Sequence, residues 1–137
     1  MNKIYILDAC ALIAFFKKET GWETVFNILG ASISGGAVVF MHEINLLEVY
    51  YGLHREKGKE YADVKISEAS SFFTTISGLT PAAFSEAGRL KSSYKISLAD
   101  SIALSQASVI GATLITADHH EFDPIEPVEQ IKFLWLR

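Results

Sequence analysis

The sequence predicts an α/β domain in which a parallel sheet carries helices on both faces. Short runs of β-forming apolar residues alternate along the chain with stretches whose apolar residues recur at helical spacing. Strands separated by helices favour right-handed βαβ crossovers, and these crossovers make a sheet parallel. The length of 137 residues, without repeats or linker-like tracts, predicts one domain over residues 1–137.

The first half of the chain contains two predicted strands, each followed by helical periodicity. Residues 4–7 are a short run of strand formers, and the apolar residues of 9–16 fall on one face of a helix. The same spacing predicts a helix over 22–29, which Gly30 ends. Residues 37–41 are continuously apolar, which favours a strand buried on both faces.

The second half continues this alternation. Its predicted helices are 43–56, 60–76, 81–94 and 97–110. Its predicted strands are 112–116 and 131–135, with 78–81 as a short strand or a turn. The helix at 81 has a capping threonine and a proline in its first position, a common helix start.

Composition excludes several classes of protein. Half of the residues are apolar and 20% are charged, which excludes intrinsic disorder. Apolar runs are far shorter than the roughly 20 residues of a membrane helix. Met1-Asn2-Lys3 leads directly into a strand, unlike a signal peptide. The single cysteine, Cys10, excludes a disulfide framework. We therefore expect a cytoplasmic protein that does not bind membranes.

The net charge of −4 is unlike that of a protein with a broad basic surface for nucleic acid. A polyanionic substrate must therefore meet local basic groups, or metal ions that reverse the sign of an acidic pocket.

Four acidic residues map to one edge of the predicted sheet. Asp8 and Asp118 directly follow strands, while Glu48 and Asp100 lie early in helices. Ligands of parallel α/β sheets bind at the edge where the strands end. Four carboxylates gathered there would raise one another's pKa values unless a cation intervened, and Mg²⁺ or Mn²⁺ suits oxygen ligands.

Each acid also has a structural interpretation. Asp100 follows Ser97 at capping-box spacing, and Asp8 is suited to cap the helix after it. Asp118 is typical of a turn. Glu48 lies in a mostly apolar stretch, where a carboxylate is costly unless it is paired or bound to metal.

The residues around the acids are more specific than their spacing. In chain order the motifs are Ile6-Leu7-Asp8-Ala9-Cys10-Ala11-Leu12-Ile13, Asn45-Leu46-Leu47-Glu48-Val49-Tyr50-Tyr51-Gly52, Ser97-Leu98-Ala99-Asp100-Ser101-Ile102-Ala103, and Leu114-Ile115-Thr116-Ala117-Asp118 with Phe122. As a set, from about residue 4 to 134, they resemble the PIN-domain family of metal-dependent ribonucleases, most closely its small VapC-like toxin branch.

The resemblance implies a three-layer α/β/α PIN-like fold with a central five-stranded, mostly parallel sheet. It also implies an Mg²⁺- or Mn²⁺-dependent endoribonuclease that leaves a 5′-phosphate and a 3′-hydroxyl. The implied partners are an RNA substrate, a cognate antitoxin protein and a second copy of the chain in a homodimer.

The resemblance also assigns residues to the site. The implied metal-binding and catalytic residues are Asp8, Glu48, Asp100 and Asp118. Ser97 and Thr116 match hydroxyl positions that support the acids. Independently of the resemblance, Asp123 is a further acid after the last motif and the reserve ligand in place of Asp118, although an Asp before a proline is typical of a turn. Ala9-Cys10 stands where relatives often carry Thr or Ser, so a hydroxyl that would support a water is missing.

Several alternatives remain open. The main one is a catalytically inactive PIN-like module that binds RNA or protein, with its acids serving as caps; a DNA nuclease is another. Aspartyl-phosphate phosphatases and phospho-receiver domains fit poorly, because the second acid they need near Asp8 is missing. Candidates for RNA contact, each with a structural alternative, are Arg89, Lys91, Lys95, Tyr50, Tyr51, His119 and His120.

Overall fold

A five-stranded parallel sheet forms the centre of the protein in a computed structural model, which describes residues 3–137. The strands are β1 (Lys3–Leu7), β2 (Ala37–His42), β3 (Thr74–Ile76), β4 (Thr113–Thr116) and β5 (Lys132–Trp135). Their order across the sheet is β3-β2-β1-β4-β5, and every neighbouring pair is parallel. The predicted α/β class is confirmed. The prediction that the chain has no signal peptide rests partly on Met1 and Asn2. These two residues lie outside the described residues.

Helices pack on both faces of the sheet. They are α1 (Ala9–Lys17), α2 (Trp22–Ser34), α3 (Glu43–Lys57), α4 (Lys59–Ser70), α5 (Pro81–Ser93), α6 (Leu98–Ile110) and the short α7 (His119–Phe122). No helix in residues 3–137 has the length and apolar character needed to cross a membrane.

Two apolar cores, one on each face, hold the layers together. Side chains alternate along a strand, so Leu7 and Ile115 enter the core beneath α1 to α4, whereas Ile6 and Leu114 enter the core beneath α6. All four are fully buried. The predicted three-layer arrangement follows from this alternation.

Side-chain caps begin several helices. The side chains of Asp8, His42, Thr80 and Ser97 accept backbone N–H hydrogen bonds at the starts of α1, α3, α5 and α6. Such caps satisfy donors that have no partner within the helix. The caps at Asp8 and His42 directly follow β1 and β2, so α1 and α3 both start at the carboxyl edge of the sheet.

Two predicted boundaries are wrong. Gly30 does not end α2, which continues to Ser34 and ends at Gly35 with φ of 86°. The helix predicted over 60–76 ends at Ser70, and Thr74–Ile76 instead forms the edge strand β3. These residues pair in parallel with Phe40–His42 of β2, a contact that apolar spacing does not predict. The segment 78–81 contains no strand.

Gly21 marks a close approach of two chain segments. Its φ is 95°, and a Cβ atom added there would lie 2.2 Å from the carbonyl oxygen of Leu136. Glycine therefore lets the turn before α2 touch the backbone that leaves β5.

Candidate metal centre

Asp8 is a buried carboxylate at the end of the central strand β1. Its Oδ1 accepts a hydrogen bond from the backbone N–H of Ala11 at 2.8 Å, and the residue is 2% exposed. Burial raises the pKa of Asp8 to about 7, although polar contacts with Thr116 and Ala11 favour the charged form. The charges of Asp100 and Asp118 raise it further. Asp8 thus caps α1, as one interpretation of the sequence predicted, and also faces other acids.

Asp100 lies in the first turn of α6, next to the residue that caps the helix. The cap is Ser97, whose Oγ accepts a hydrogen bond from the backbone N–H of Asp100 at 3.1 Å. Burial raises the pKa of Asp100 to about 7, and the charges of Asp118, Glu121 and Glu48 act in the same direction. Ser97 therefore caps α6, and its side chain also makes a polar contact with the Asp100 carboxylate that favours the charged form.

Glu48 lies in the second turn of α3 and is partly buried. Burial raises its pKa, a polar contact with the Tyr51 side chain opposes this rise, and the charge of Asp118 adds to it. Glu48 therefore faces the same group of acids as Asp100.

Asp118 begins the short helix α7. Its Oδ1 accepts a hydrogen bond from the backbone N–H of Glu121 at 3.2 Å, and its own N–H donates to Oγ1 of Thr116 at 3.0 Å. Its charge acts on Asp8, Asp100 and Glu48. Asp118 is thus a turn residue and a member of the group at the same time.

Each of the four sequence-predicted acids is linked to at least one of the others by its charge, and a fifth acid, Glu121, acts on Asp100. The sequence analysis missed Glu121 as a member, although its place three residues after Asp118 puts it on the same turn. Asp123, the reserve ligand, instead contacts His119, with Oδ1 and Nδ1 2.7 Å apart. We call Asp8, Glu48, Asp100, Asp118 and Glu121 the acidic cluster.

The donor set of the acidic cluster fits a hard divalent cation. Every member offers carboxylate oxygens, and the pKa values of Asp8 and Asp100 are raised first by burial and then by the charges of neighbouring acids, both of which a bound cation would offset. Among residues 3–137, however, no three His, Cys, Asp or Glu side chains already converge at ligating distance.

Neighbouring reactive side chains are occupied or inert. Arg89 is held by two carboxylates, its Nε 2.7 Å from Glu86 and its Nη2 2.6 Å from Glu129. The ring of His119 stacks on Trp135 with centroids 3.9 Å apart. Burial raises the pKa of the Cys10 thiol to about 11, so it stays protonated at neutral pH.

The fold and the acidic cluster define an α/β protein whose carboxylates gather where its parallel strands end. The sequence profile of the PIN domain matches residues 5–125, and the chain belongs to the PIN-domain family. This confirms the family predicted from the four motifs. Curated proteins show no significant sequence match to the chain.

Solved structures with the same fold include toxin–antitoxin proteins. VapBC2 from Rickettsia felis, bound to a DNA fragment from its promoter, has 21% identity and a TM-score of 0.75, covering 96% of this chain and 97% of that one. DNA-bound VapBC from Salmonella typhimurium has 17% identity and a TM-score of 0.75, with complete coverage of both chains. VapC20 of Mycobacterium tuberculosis, a toxin that cleaves the sarcin-ricin loop, has 15% identity and a TM-score of 0.66, covering 88% and 95%. At these identities the likeness shows the fold.

Proposed function

We propose that this protein is an Mg²⁺- or Mn²⁺-dependent endoribonuclease and the toxin of a toxin–antitoxin pair. The observation that carries the proposal is the placement of Asp8, buried where β1 ends, and Asp100, in the first turn of α6, near enough for the charge of Asp100 to act on Asp8 and that of Asp118 to act on both. A buried cluster of repelling carboxylates is stable only when protonated or when bound to a cation. Membership of the PIN-domain family and the fold of a toxin that cleaves RNA also support it.

The residues that would hold the ion are Asp8, Glu48, Asp100 and Asp118. A divalent ion bound there supplies activation of water and neutralises charge on the attacked phosphodiester. Thr116 would orient Asp8 and Asp118 through its hydroxyl, and Ser97 would hold the start of α6 so that Asp100 faces the cluster. A carboxylate not engaged with the ion would accept the proton of the attacking water.

The proposed partners follow from the same comparisons. VapBC chains of this fold assemble as toxin–antitoxin complexes, and we infer that a cognate antitoxin binds this protein and that the chain forms a homodimer. We also propose that the protein acts in the cytoplasm, where it would meet an RNA substrate.

A second candidate function is a catalytically inactive PIN-like module that binds RNA or protein. It is favoured by the absence, within residues 3–137, of three side chains already at ligating distance. The side chains of Asp8 and Asp118 also accept hydrogen bonds that cap α1 and α7, so these acids stabilise the fold even without a metal ion.

Calorimetric titration of Mn²⁺ into the pure protein, beside Asp100→Asn, separates the two candidates. Saturable binding to the parent and its loss in the variant would support a metal-dependent nuclease. Absence of binding to the parent would favour the inactive module. This measurement does not require knowledge of the RNA that is cleaved, so a wrong choice of substrate cannot mislead it.

A further inference from the structure

Helix α3 carries a stripe of three functional side chains that begins at the acidic cluster. Glu48, Tyr51 and Arg55 are spaced by three and four residues, so they share one face of the helix. At 1.5 Å rise per residue, the stripe extends about 10 Å from the cluster along the surface. Its far end is basic, whereas its near end is acidic.

Tyr51 presents an exposed aromatic ring beside Glu48. The residue is 43% exposed, and its side chain makes the polar contact with Glu48 described above. The neighbouring Tyr50 differs, because its hydroxyl donates to Asp63 at 2.7 Å and its ring packs against the core. Tyr51 is therefore the tyrosine of this pair whose ring remains available to a ligand.

Arg55 supplies a positive charge next to that ring. Its guanidinium lies 5.1 Å from the centroid of Tyr51, a distance at which a cation is attracted to an aromatic face. In the part of the chain that the structure describes, Arg55 forms no ion pair, whereas Lys17 and Arg89 are held by glutamates. In a chain of net charge −4, such a charge offers a local contact for a phosphate.

We propose that Tyr51 and Arg55 form a subsite for one nucleotide of single-stranded RNA, with the base stacked on Tyr51 and a phosphate paired with Arg55. This inference rests on the proposed nuclease function and adds the form of the substrate. Arg55 lies over one face of the Tyr51 ring, so an unstacked base of any kind would stack on the opposite face. A duplex keeps its bases stacked inside, so the subsite selects single strands, loops or ends. The stripe would guide the strand to the acidic cluster.

The test measures the affinity for a fluorescein-labelled oligouridine of about 12 nucleotides by fluorescence anisotropy at fixed Mg²⁺. All variants carry Asp100→Asn, so that the probe is not cleaved. Tyr51→Ala should weaken binding about tenfold, the scale of one lost base–aromatic stack. Tyr51→Phe should bind like its Asp100→Asn parent because it keeps the ring. Arg55→Gln should weaken binding and reduce the salt dependence by about one phosphate contact.

The chain provides a matched control for Arg55. Lys57 lies two residues further along α3 with its ammonium 5.1 Å from the ring of Tyr61, so Lys57→Gln removes the same charge from an equivalent pair. This variant should leave affinity unchanged. With Asp100 restored, Tyr51→Ala should raise KM for oligouridine cleavage above that of Tyr51→Phe and have a similar kcat, because both variants lack the hydroxyl that contacts Glu48.

Three results would overturn the inference. Equal oligouridine affinity of Tyr51→Ala and its parent would remove the stacking role while leaving the nuclease proposal intact. A change of oligomeric state in Tyr51→Ala, by analytical ultracentrifugation, with RNA affinity per protomer unchanged, would identify the stripe as a protein interface. A protein that binds Mn²⁺ but neither binds nor cleaves oligouridine would overturn this subsite. Failure to bind Mn²⁺ instead contradicts the proposed function itself.

Discussion

Thr116, the last residue of β4, accepts a hydrogen bond from the backbone N–H of Asp118 through its Oγ1 at 3.0 Å. The same hydroxyl makes a polar contact with the carboxylate of Asp8, and Thr116 is fully buried. One side chain therefore connects the acids that follow two adjacent strands. The hydroxyl fixes how these two acids stand relative to each other.

Thr116→Val should lower both stability and metal affinity. Valine keeps the shape of threonine but leaves the N–H of Asp118 without its partner, which costs about 1–3 kcal/mol of unfolding free energy. The loss of support for two ligands should weaken Mn²⁺ binding about 10–100-fold. Urea denaturation and calorimetry measure the two effects. Thr116→Ser keeps the hydroxyl and should retain most of the affinity, and equal affinities for valine and serine would contradict the positioning role.

Asp100→Asn should abolish Mn²⁺ binding and RNA cleavage without unfolding α6. The helix cap uses the backbone N–H of Asp100 and the hydroxyl of Ser97, and neither group changes in this variant. The expected circular dichroism spectrum is that of the parent. As a control, Asp123→Asn alters an acid that contacts His119 instead of the cluster, and it should leave Mn²⁺ binding intact. Metal affinity lost in Asp123→Asn and kept in Asp100→Asn would reverse the assignment.

Without metal, the free energy of unfolding should fall as pH rises from about 4 to about 7. Folding raises the pKa of Asp8 and Asp100 from 3.8 to about 7, so in this window the folded state holds protons that the unfolded state has released. For Asp8 the loss is about 2–4 kcal/mol. Denaturation at a series of pH values in EDTA measures the slope. Asp8→Asn should flatten it, and a stability that rises over this window would contradict the raised pKa values.

Much of the fold was predictable because its local and tertiary signals agree. The helix start at Pro81 and the buried strand at 37–41 both occur where residue type and periodicity predicted them. The helix predicted over 60–76 was too long because its apolar residues satisfy helical spacing throughout. Pairing with β2 makes the last three residues a strand instead. Strand pairing is a long-range contact that periodicity does not reveal.

The acidic cluster was predictable for a topological reason. Residues that follow parallel strands meet at one edge regardless of their separation in sequence, so Asp8 and Asp118 could be placed together. Glu121 was missed because it lies in the first turn of α7 and does not directly follow a strand. The engagement of Arg89 could not be predicted either, because Glu129 lies 40 residues away in the sequence.

Arg89→Gln should lower stability and leave RNA affinity unchanged. The guanidinium connects α5 to the segment before β5 through Glu86 and Glu129, so its charge is already neutralised within the protein. The pair is partly exposed, and its loss should cost about 1 kcal/mol. Thermal denaturation measures the stability, and fluorescence anisotropy with oligouridine measures the RNA affinity. Lys91→Gln, on the same helix, is the control for a change of charge alone. Weaker RNA binding at unchanged stability would restore Arg89 as an RNA contact.

Gly21→Ala should be among the most destabilising single substitutions in the chain, and Gly35→Ala shows why. Both glycines have positive φ, 95° and 86°. Alanine in this conformation should therefore lower the free energy of unfolding by a similar amount, about 1–2 kcal/mol, at either position. At Gly35 the new methyl group meets open space, whereas at Gly21 it would lie 2.2 Å from the carbonyl oxygen of Leu136. Backbone on both sides must then move.

The difference between the two variants therefore isolates the close approach of Gly21 to Leu136. We expect Gly21→Ala to lose at least about 2 kcal/mol more unfolding free energy than Gly35→Ala, since overpacking a close contact typically costs about 1–3 kcal/mol. The N–H of Leu136 donates to the carbonyl of Thr116 at 2.9 Å, so displacement of this segment should reach the end of β4. Gly21→Ala should then weaken Mn²⁺ binding while Gly35→Ala does not. Equal stability of the two variants in urea denaturation would show that backbone conformation alone sets the requirement for glycine at position 21.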